Sequence, residues 1–520
     1  MEQLKNLPIG IQDFEGLRKD GYLYLDKTDL LYRLVSAGKY YFLSRPRRFG
    51  KSLLISTLKA YFQGKKELFK GLAIEQLESE WTEYPVFHLD LNTAKYTDKD
   101  VLRKKLASSL LEWESQYGKT DDNDDLGHRF ECVIRRAYEQ TGHRVVILVD
   151  EYDKPMLQAI GNEDLMNEYR ATLKGFYGAL KSMDGCIRFA MLTGVTKFSK
   201  VSVFSDLNNL KDITMDKRYY SICGLTEDEL ANELRPYVDR LSEAKNMSVE
   251  KAYAELKRFY DGYHFTYDTP GMYNPFSVLN ALDSCEIGSY WFETGTPSYL
   301  VQLLKEHDYN LEQMANDEMG ADVLNSIDVT SNNPIPVIFQ SGYLTIKGYD
   351  SEFGIYKLGF PNEEVKEGFL RYLMPSYTTV MEGKAGFQMR NFVKEVRTGQ
   401  VDAFMERMKS FFSNTPFDHV DRMLENHYQN VLFILCELCG LYTRAGYHTS
   451  QGRIDMTIET SDYVYVFEFK YEKTAEDALQ QIKEKNYAQP FRASGKHIFC
   501  IGVNFSDKLR GIDRYVVEEE

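Results

Sequence analysis

Four short runs of β-branched, aromatic and aliphatic residues, Tyr40 to Ser44, Pro85 to Leu91, Val145 to Val149 and Ile187 to Thr193, are separated by stretches with helical spacing. Strands that alternate with helices do not pair as hairpins. Each strand returns through a crossover, and the product is a parallel sheet with helices on its faces. The run Val145-Val146-Ile147-Leu148-Val149 has no polar position, as a strand buried on both faces requires.

Beyond this sheet the pattern changes. Thr226-Glu227-Asp228-Glu229 reads as an N-cap with an acidic first turn, and charged helical periodicity continues to about Tyr260. From Gly262 to Pro416 short helices mix with strand-like pieces such as Gly342 to Ile346, and no single architecture emerges. After Pro416 a new α/β unit is expected, with a helix from about Val420 to Gly440, strands at Ile454 to Glu459 and Val464 to Lys470, a helix from Ala475 to Ala488, and a strand at His497 to Val503. The expected domains are 1–225, a helical appendage at 226–290, a middle region of unassigned fold at 291–416, and 417–520. A chain of 520 residues accommodates three or four domains at roughly 150 residues each. The fold class is α/β multidomain.

Charge and composition exclude several functions. The net charge of -15 disfavours a protein that coats nucleic acid through its overall field. No run of apolar residues reaches membrane-spanning length and no charged leader precedes an apolar core, so no membrane partner and a cytoplasmic location are expected. Seven Cys at irregular spacing read as free thiols. Cys436 and Cys439 sit beside the apolar run Val431 to Leu435 and read as helix rather than zinc site. Asp121-Asp122-Asn123-Asp124-Asp125 begins like a calcium loop, but Leu126 and Cys132 stand where the turn glycine and the bidentate glutamate belong.

The first strand leads into Arg45-Pro46-Arg47-Arg48-Phe49-Gly50-Lys51-Ser52-Leu53-Leu54, a tight loop opening a helix. In a phosphate-binding loop, backbone amides and a helix N-terminus face the phosphates, the lysine reaches the β and γ oxygens, and the hydroxyl after it holds Mg²⁺. Arg47, Arg48, Phe49, Gly50, Lys51, Ser52 and Leu53 are therefore the expected contacts of ATP, with Ser52 on the metal. Arg45 stands where the usual motif has its first glycine. Nine Lys or Arg and no acid lie between Leu30 and Lys66, a local charge suited to a polyphosphate. The third strand ends in Asp150-Glu151, where an acid holds Mg²⁺ and its neighbour polarises the attacking water. Asp150 and Glu151 take those roles, with Asp153 as a substitute for Glu151 or a disturbance of it. The fourth strand ends Thr193-Gly194-Val195-Thr196-Lys197. Thr193 stands where a γ-phosphate sensor would sit, and an ordinary strand-end turn explains the same residues equally well.

A second constellation lies near the C-terminal end. Asp455 precedes Glu468-Phe469-Lys470 by thirteen residues, and Glu468 and Lys470 share one face of a strand. Two carboxylates suit Mg²⁺, and the lysine can orient water or stabilise developing charge during attack on a phosphodiester. Glu425, Tyr428 and Gln429 fall at helical spacing and offer Glu425 as a third carboxylate. A surface Glu-Lys pair on an edge strand is the bland alternative. The apolar residues preceding Glu468 favour a core-backed site.

The Arg45 to Ser52 loop, Val149-Asp150-Glu151-Tyr152-Asp153-Lys154-Pro155, Gly10-Ile11-Gln12-Asp13-Phe14 and Tyr24-Leu25-Asp26-Lys27-Thr28 together resemble the bacterial AAA-ATPase-like family. Gly452-Arg453-Ile454-Asp455, Glu468-Phe469-Lys470 and Ala478-Leu479-Gln480-Gln481-Ile482 through Tyr487 resemble the PD-(D/E)xK nuclease-superfamily domain that accompanies it. The resemblance implies a P-loop NTPase core of the additional-strand type followed by a restriction-endonuclease-like fold. It also implies Glu425 as a helix-borne acid, with Gln481 and Tyr487 as accessory site residues. From Asp421 to Glu520 there are 12 Lys plus Arg against 16 Asp plus Glu, so no broad DNA-binding face is evident. Two functions follow as expectations: an ATPase whose nucleotide state regulates a Mg²⁺-dependent nuclease domain acting on DNA or RNA, or a nucleotide-dependent binding switch whose nuclease-like domain recognises without cutting. A homo-oligomer or a protein partner suits either.

Overall fold

The computed structural model describes residues 4–119, 125–198, 209–292, 300, 304, 309–314, 317–324, 327, 333–377, 391–412, 430–431, 433–434, 437, 442–449, 452–471, 473–506 and 511–520. The chain forms two compact units, Met1–Thr294 with Asp317–Val365, and Gly295–Asn316 with Lys366–Glu520. The segment read from sequence as 291–416 thus contributes to both.

In the first unit β1 (Tyr40–Ser44), β2 (Val86–Asp90), β3 (Val145–Asp150), β4 (Ile187–Gly194) and the two-residue β5 (Lys211–Asp212) make one sheet in the order β2-β3-β4-β1-β5. All its pairings are parallel. Strand β4 is inserted between β1 and β3, with Leu192 opposite Phe42 on one side and Val149 on the other. This is the additional-strand arrangement. Strand β5 had no sequence signal, being too short for any period.

Every residue of β1 and β3 is buried because crossover helices cover the sheet. The helix Lys51–Phe62 follows β1, and the helices Lys99–Tyr117, Leu126–Thr141 and Glu163–Ser182 follow later strands. Stacked rings join them: Phe130 on Phe176 at 4.4 Å and Phe87 on Trp113 at 4.7 Å, each pair worth about 1 kcal/mol beyond its burial. Of the acidic run Asp121 to Asp125, Asp125 is described. It caps the helix Leu126–Thr141 by accepting from the His128 N–H, and 121–124 lie outside the described residues.

Thr226 and Glu229 form the reciprocal capping box that starts the helix Glu227–Asn232. The helices Arg235–Ala244, Val249–Tyr260 and Pro275–Ser284 follow, and Leu230, Val238, Leu241, Leu256, Val278 and Leu282 bury their apolar faces in a common core. The same unit carries a small antiparallel sheet of β6 (Glu318–Gly320), β7 (Thr345–Asp350) and β8 (Ile355–Gly359), in the order β6-β8-β7. The strand read at Gly342 to Ile346 begins at Thr345. Gly342 adopts φ +90° in a turn pressed on the phosphate loop, where a Cβ would lie 2.6 Å from Pro46 Cβ, a combination that only glycine permits.

The second unit contains β9 (Tyr442–Thr449), β10 (Gly452–Glu459), β11 (Tyr463–Tyr471), β12 (His497–Ser506) and β13 (Gly511–Glu519), ordered β13-β12-β11-β10-β9. Strands β11 and β12 are parallel, joined by the helix Ala475–Glu484, and the remaining pairs are antiparallel. That helix stops short of the expected Ala488, since Asn486 adopts φ +48°, outside the helical region. Strand β11 is covered on both faces. Tyr465 meets Phe404 at 5.2 Å and donates its hydroxyl to the Val396 carbonyl, while Val464 and Val466 pack with Leu479 and Ile482. Among the described residues no helix is long and apolar enough to cross a membrane.

Candidate functional site

The first site lies at the C-terminal ends of β1, β3 and β4, where a parallel sheet leaves a crevice for ligands. Gly50 adopts φ +93° and caps the helix Lys51–Phe62. Arg48 also lies in the left-handed region at φ +66°, so the loop is sharply turned just before the helix N-terminus. Lys51 is 3% exposed, and its ammonium donates to the carbonyls of Arg45 and Pro46 at 3.1 and 3.2 Å. It also pairs with Glu151 Oε1 at 3.3 Å.

Glu151 sits at φ +54°, which turns the chain directly after β3. Asp150 is buried, and its Oδ1 accepts the Thr193 hydroxyl at 2.6 Å and the Glu151 N–H at 3.1 Å. The parallel pairing of β3 and β4 thus brings Asp150, Glu151 and Thr193 together beside Lys51. Asp153 is otherwise engaged. It is fully buried, and its carboxylate accepts from the N–H groups of Val195 and Thr196 and from the Thr196 hydroxyl. Burial, then the nearby Glu151, pushes its pKa up against those donors. With its oxygens committed to the β4 exit, Asp153 holds that turn. Lys197, at the same strand end, pairs with Asp212.

Arg45 explains the departure from the usual loop. Its guanidinium is 1% exposed and donates to the carbonyls of Ser44 and Thr214 at 2.9 and 2.8 Å, with its Cζ 3.9 Å above the Phe265 ring. Burial lowers its pKa to about 10, so it stays charged at neutrality. The side chain that replaces the first glycine is a structural pin. Aromatic residues far along the chain clasp the rest of the loop: Phe49 meets Tyr263 at 4.8 Å, Arg48 lies over Phe276 at 4.9 Å, and Arg47 approaches the Tyr343 hydroxyl at 3.3 Å. Sequence reasoning missed all of these partners, which no local period could reveal.

Beside Gly50 and Leu53 a cavity opens with apolar walls that include Leu25, Leu31 and Leu279, and Lys27 supplies its charged group. Lys27 is ion-paired with Glu229 at 2.6 Å. Ser52 is partly exposed at the start of the helix.

The second site lies on β10 and β11. Glu468 is 2% exposed. Its Oε1 takes the Lys470 ammonium at 2.7 Å, and that ammonium also reaches Gln481 Oε1 at 2.7 Å. Asp455 Oδ2 accepts the Phe469 N–H at 2.8 Å. Burial, then the neighbouring Asp455 carboxylate, raises the pKa of Glu468 against the pull of Lys470. Glu468 Oε2 is buried without a hydrogen-bond partner. A buried carboxylate oxygen without a donor, beside a second carboxylate that raises its pKa, fits a divalent cation. Among the described residues no three His, Cys, Asp or Glu gather as a metal cluster, and Glu425 lies outside them, as do Cys436 and Cys439. Gln481 sits at the site, whereas Tyr487 is buried in the apolar cluster with Ile454 and Ile482.

Comparison with known proteins covers both sites. The "Predicted AAA-ATPase" family matches residues 8–204, and the "PD-(D/E)XK nuclease superfamily" matches residues 423–515. An Azotobacter chroococcum mcd 1 protein described as "Uncharacterized protein in vnfD 5'region" is 38% identical over 533 residues, covering 99% of each chain. With an inserted-strand parallel sheet behind a Gly-Lys-Ser loop, a mixed sheet behind an Asp, Glu and Lys set, and a relative that runs its whole length, the chain belongs to the predicted AAA-ATPase family and carries a PD-(D/E)XK nuclease-superfamily domain.

Proposed function

We propose that the first unit binds and hydrolyses ATP and that its nucleotide state regulates the nuclease-like unit, which cuts nucleic-acid phosphodiesters with Mg²⁺. The observation that carries the first half is the meeting of Lys51, Asp150, Glu151 and Thr193 at one sheet edge. Backbone amides of Arg47 to Leu53 and the helix N-terminus receive the phosphates, and Lys51 leaves Glu151 for the β and γ oxygens. Ser52 and Asp150 are the residues that would hold Mg²⁺, and Thr193 keeps Asp150 oriented. Glu151, released from Lys51, aligns and polarises water. The base lies in the apolar cavity beside Gly50 and Leu53.

In the second unit Asp455 and Glu468 would hold the cation, with Glu425 as a third carboxylate. A divalent cation there supplies the positive charge that stabilises a phosphodiester's developing negative charge. Lys470, fixed by Glu468 and Gln481, orients the attacking water and neutralises charge on the scissile phosphate. One observation favours the non-cutting reading: acids outnumber bases from Asp421 to Glu520, which leaves little field to hold a polyanion. Incubating purified protein with Mg²⁺ or Mn²⁺, with and without ATP, on single- and double-stranded DNA and RNA decides between them. Cleavage supports the nuclease reading. Cation binding with no cleavage of any substrate supports the switch.

A further inference from the structure

A buried hydrogen-bonded path leads from the phosphate loop to the helix Glu363–Tyr377. Trp291 is 1% exposed, and its indole N–H donates to the Arg47 carbonyl at 3.0 Å. Its ring meets Tyr343 edge-on at 5.1 Å, which fixes its orientation. The backbone N–H of Trp291, with that of Tyr290, donates to Glu364 Oε1 at 2.8 and 2.6 Å. Glu364 is itself 1% exposed, and its Oε2 accepts the Ser277 hydroxyl at 2.7 Å. A buried carboxylate is costly unless donors surround it, so this geometry is tightly determined. Glu364 is the second residue of the helix Glu363–Tyr377.

The Arg47 carbonyl and the Arg48 N–H belong to one planar peptide group. A phosphate that draws the Arg48 amide toward itself rotates the carbonyl at the other end of the same plane, and that carbonyl is the acceptor of the Trp291 indole. Arg48 holds a left-handed φ of +66°, a conformation kept in place by its surroundings, so a phosphate bond at one end of this peptide and the indole bond at the other act on the same plane. We infer that Trp291 and Glu364 are positioning residues that transmit phosphate-loop occupancy to the first turn of the helix Glu363–Tyr377. The relay rests on reading the loop as a nucleotide site. Both residues are buried.

The test is hydrogen exchange of the full-length chain with and without Mg²⁺ and ATP, run beside calorimetry of ATP binding. In the wild type the amides of residues 363–377 should change their exchange rate at least about threefold on binding. Trp291→Phe keeps the ring but removes the donor, and Glu364→Gln keeps the shape but removes the charge. Both should bind ATP within about threefold of wild type and lose most of that change, whereas a purely packing role would leave the ATP-dependent difference intact. Wild-type protein that binds ATP without altering exchange in this helix overturns the relay alone, as does a Trp291→Phe variant with the full response. Wild-type protein that binds no ATP overturns the nucleotide site and the relay with it. Should Trp291→Phe fold poorly, Glu364→Gln decides on the same two readouts.

Discussion

The Lys51 ammonium and the Glu151 carboxylate face each other at 3.3 Å, with the lysine 3% exposed and also bonded to two loop carbonyls. The cation that should reach the phosphates is thus held by the acid that should activate water, and each can act only after they separate. Phosphate offers Lys51 a stronger partner than a single carboxylate oxygen, so binding of the substrate would itself free the base.

Lys51→Ala should weaken ATP binding by roughly 10- to 100-fold, corresponding to the loss of about 1.5–3 kcal/mol of charge-assisted bonding. Glu151→Gln should bind at least as tightly as wild type, since it releases the lysine from an ion pair, and should stop turnover. Calorimetry and phosphate release measure the two. Unchanged affinity in Lys51→Ala would count decisively against the assignment of the loop.

Arg45→Gly restores the usual glycine and should make the protein worse. It removes a buried guanidinium and leaves carbonyls of Ser44 and Thr214 without their donor. We expect a stability loss of about 3 kcal/mol, read as a lower first thermal transition, with no gain in ATP affinity. A more stable variant would mean that Arg45 does not pin the loop.

Thr193→Val keeps the shape of β4 but removes the hydroxyl that Asp150 accepts at 2.6 Å. Turnover with Mg²⁺ should fall about tenfold as the carboxylate loses its orientation, while ATP affinity measured without Mg²⁺ should stay within a factor of about two. An equal loss with and without the metal would move Thr193 from positioning Asp150 to binding phosphate.

Asp455→Asn and Lys470→Ala should separate binding from chemistry in the second unit. The first should weaken Mn²⁺ binding about tenfold or more and abolish cleavage, because a carboxylate is lost from the pair that holds the cation. Lys470→Ala should keep the cation and still not cut. Cleavage that survives in Lys470→Ala would assign the lysine to structure.

The raised pKa of Glu468 would make cation binding at the proposed site pH-dependent. Its carboxyl must lose a proton before it can ligate, and burial with Asp455 beside it delays that loss to higher pH than an exposed glutamate requires. Affinity should therefore fall as pH drops from neutral toward the ordinary carboxylate range, and binding near neutrality should release protons. Calorimetry in buffers of different ionisation enthalpy reads the release directly. Its absence would show that Glu468 is already ionised, or is no ligand.

The sequence by itself determined the four long strands of the parallel sheet, the turn at Gly50 and the strand-end acids Asp150 and Glu151. It also determined the capping box at Thr226 and the shared strand face of Glu468 and Lys470. These features are local: strand alternation, cap chemistry and side-chain parity are written within a few residues. Only the tertiary structure decided that Asp153 bonds the β4 exit, that Lys51 is paired with Glu151, and that Arg45 reaches Thr214. The indole of Trp291 meets the Arg47 carbonyl across 244 positions of chain, and β5 and β13 gain their place from neighbours rather than from their own composition. Such pairings depend on how separately formed elements pack, and the free energy that selects among them belongs to the assembled core, not to any short segment.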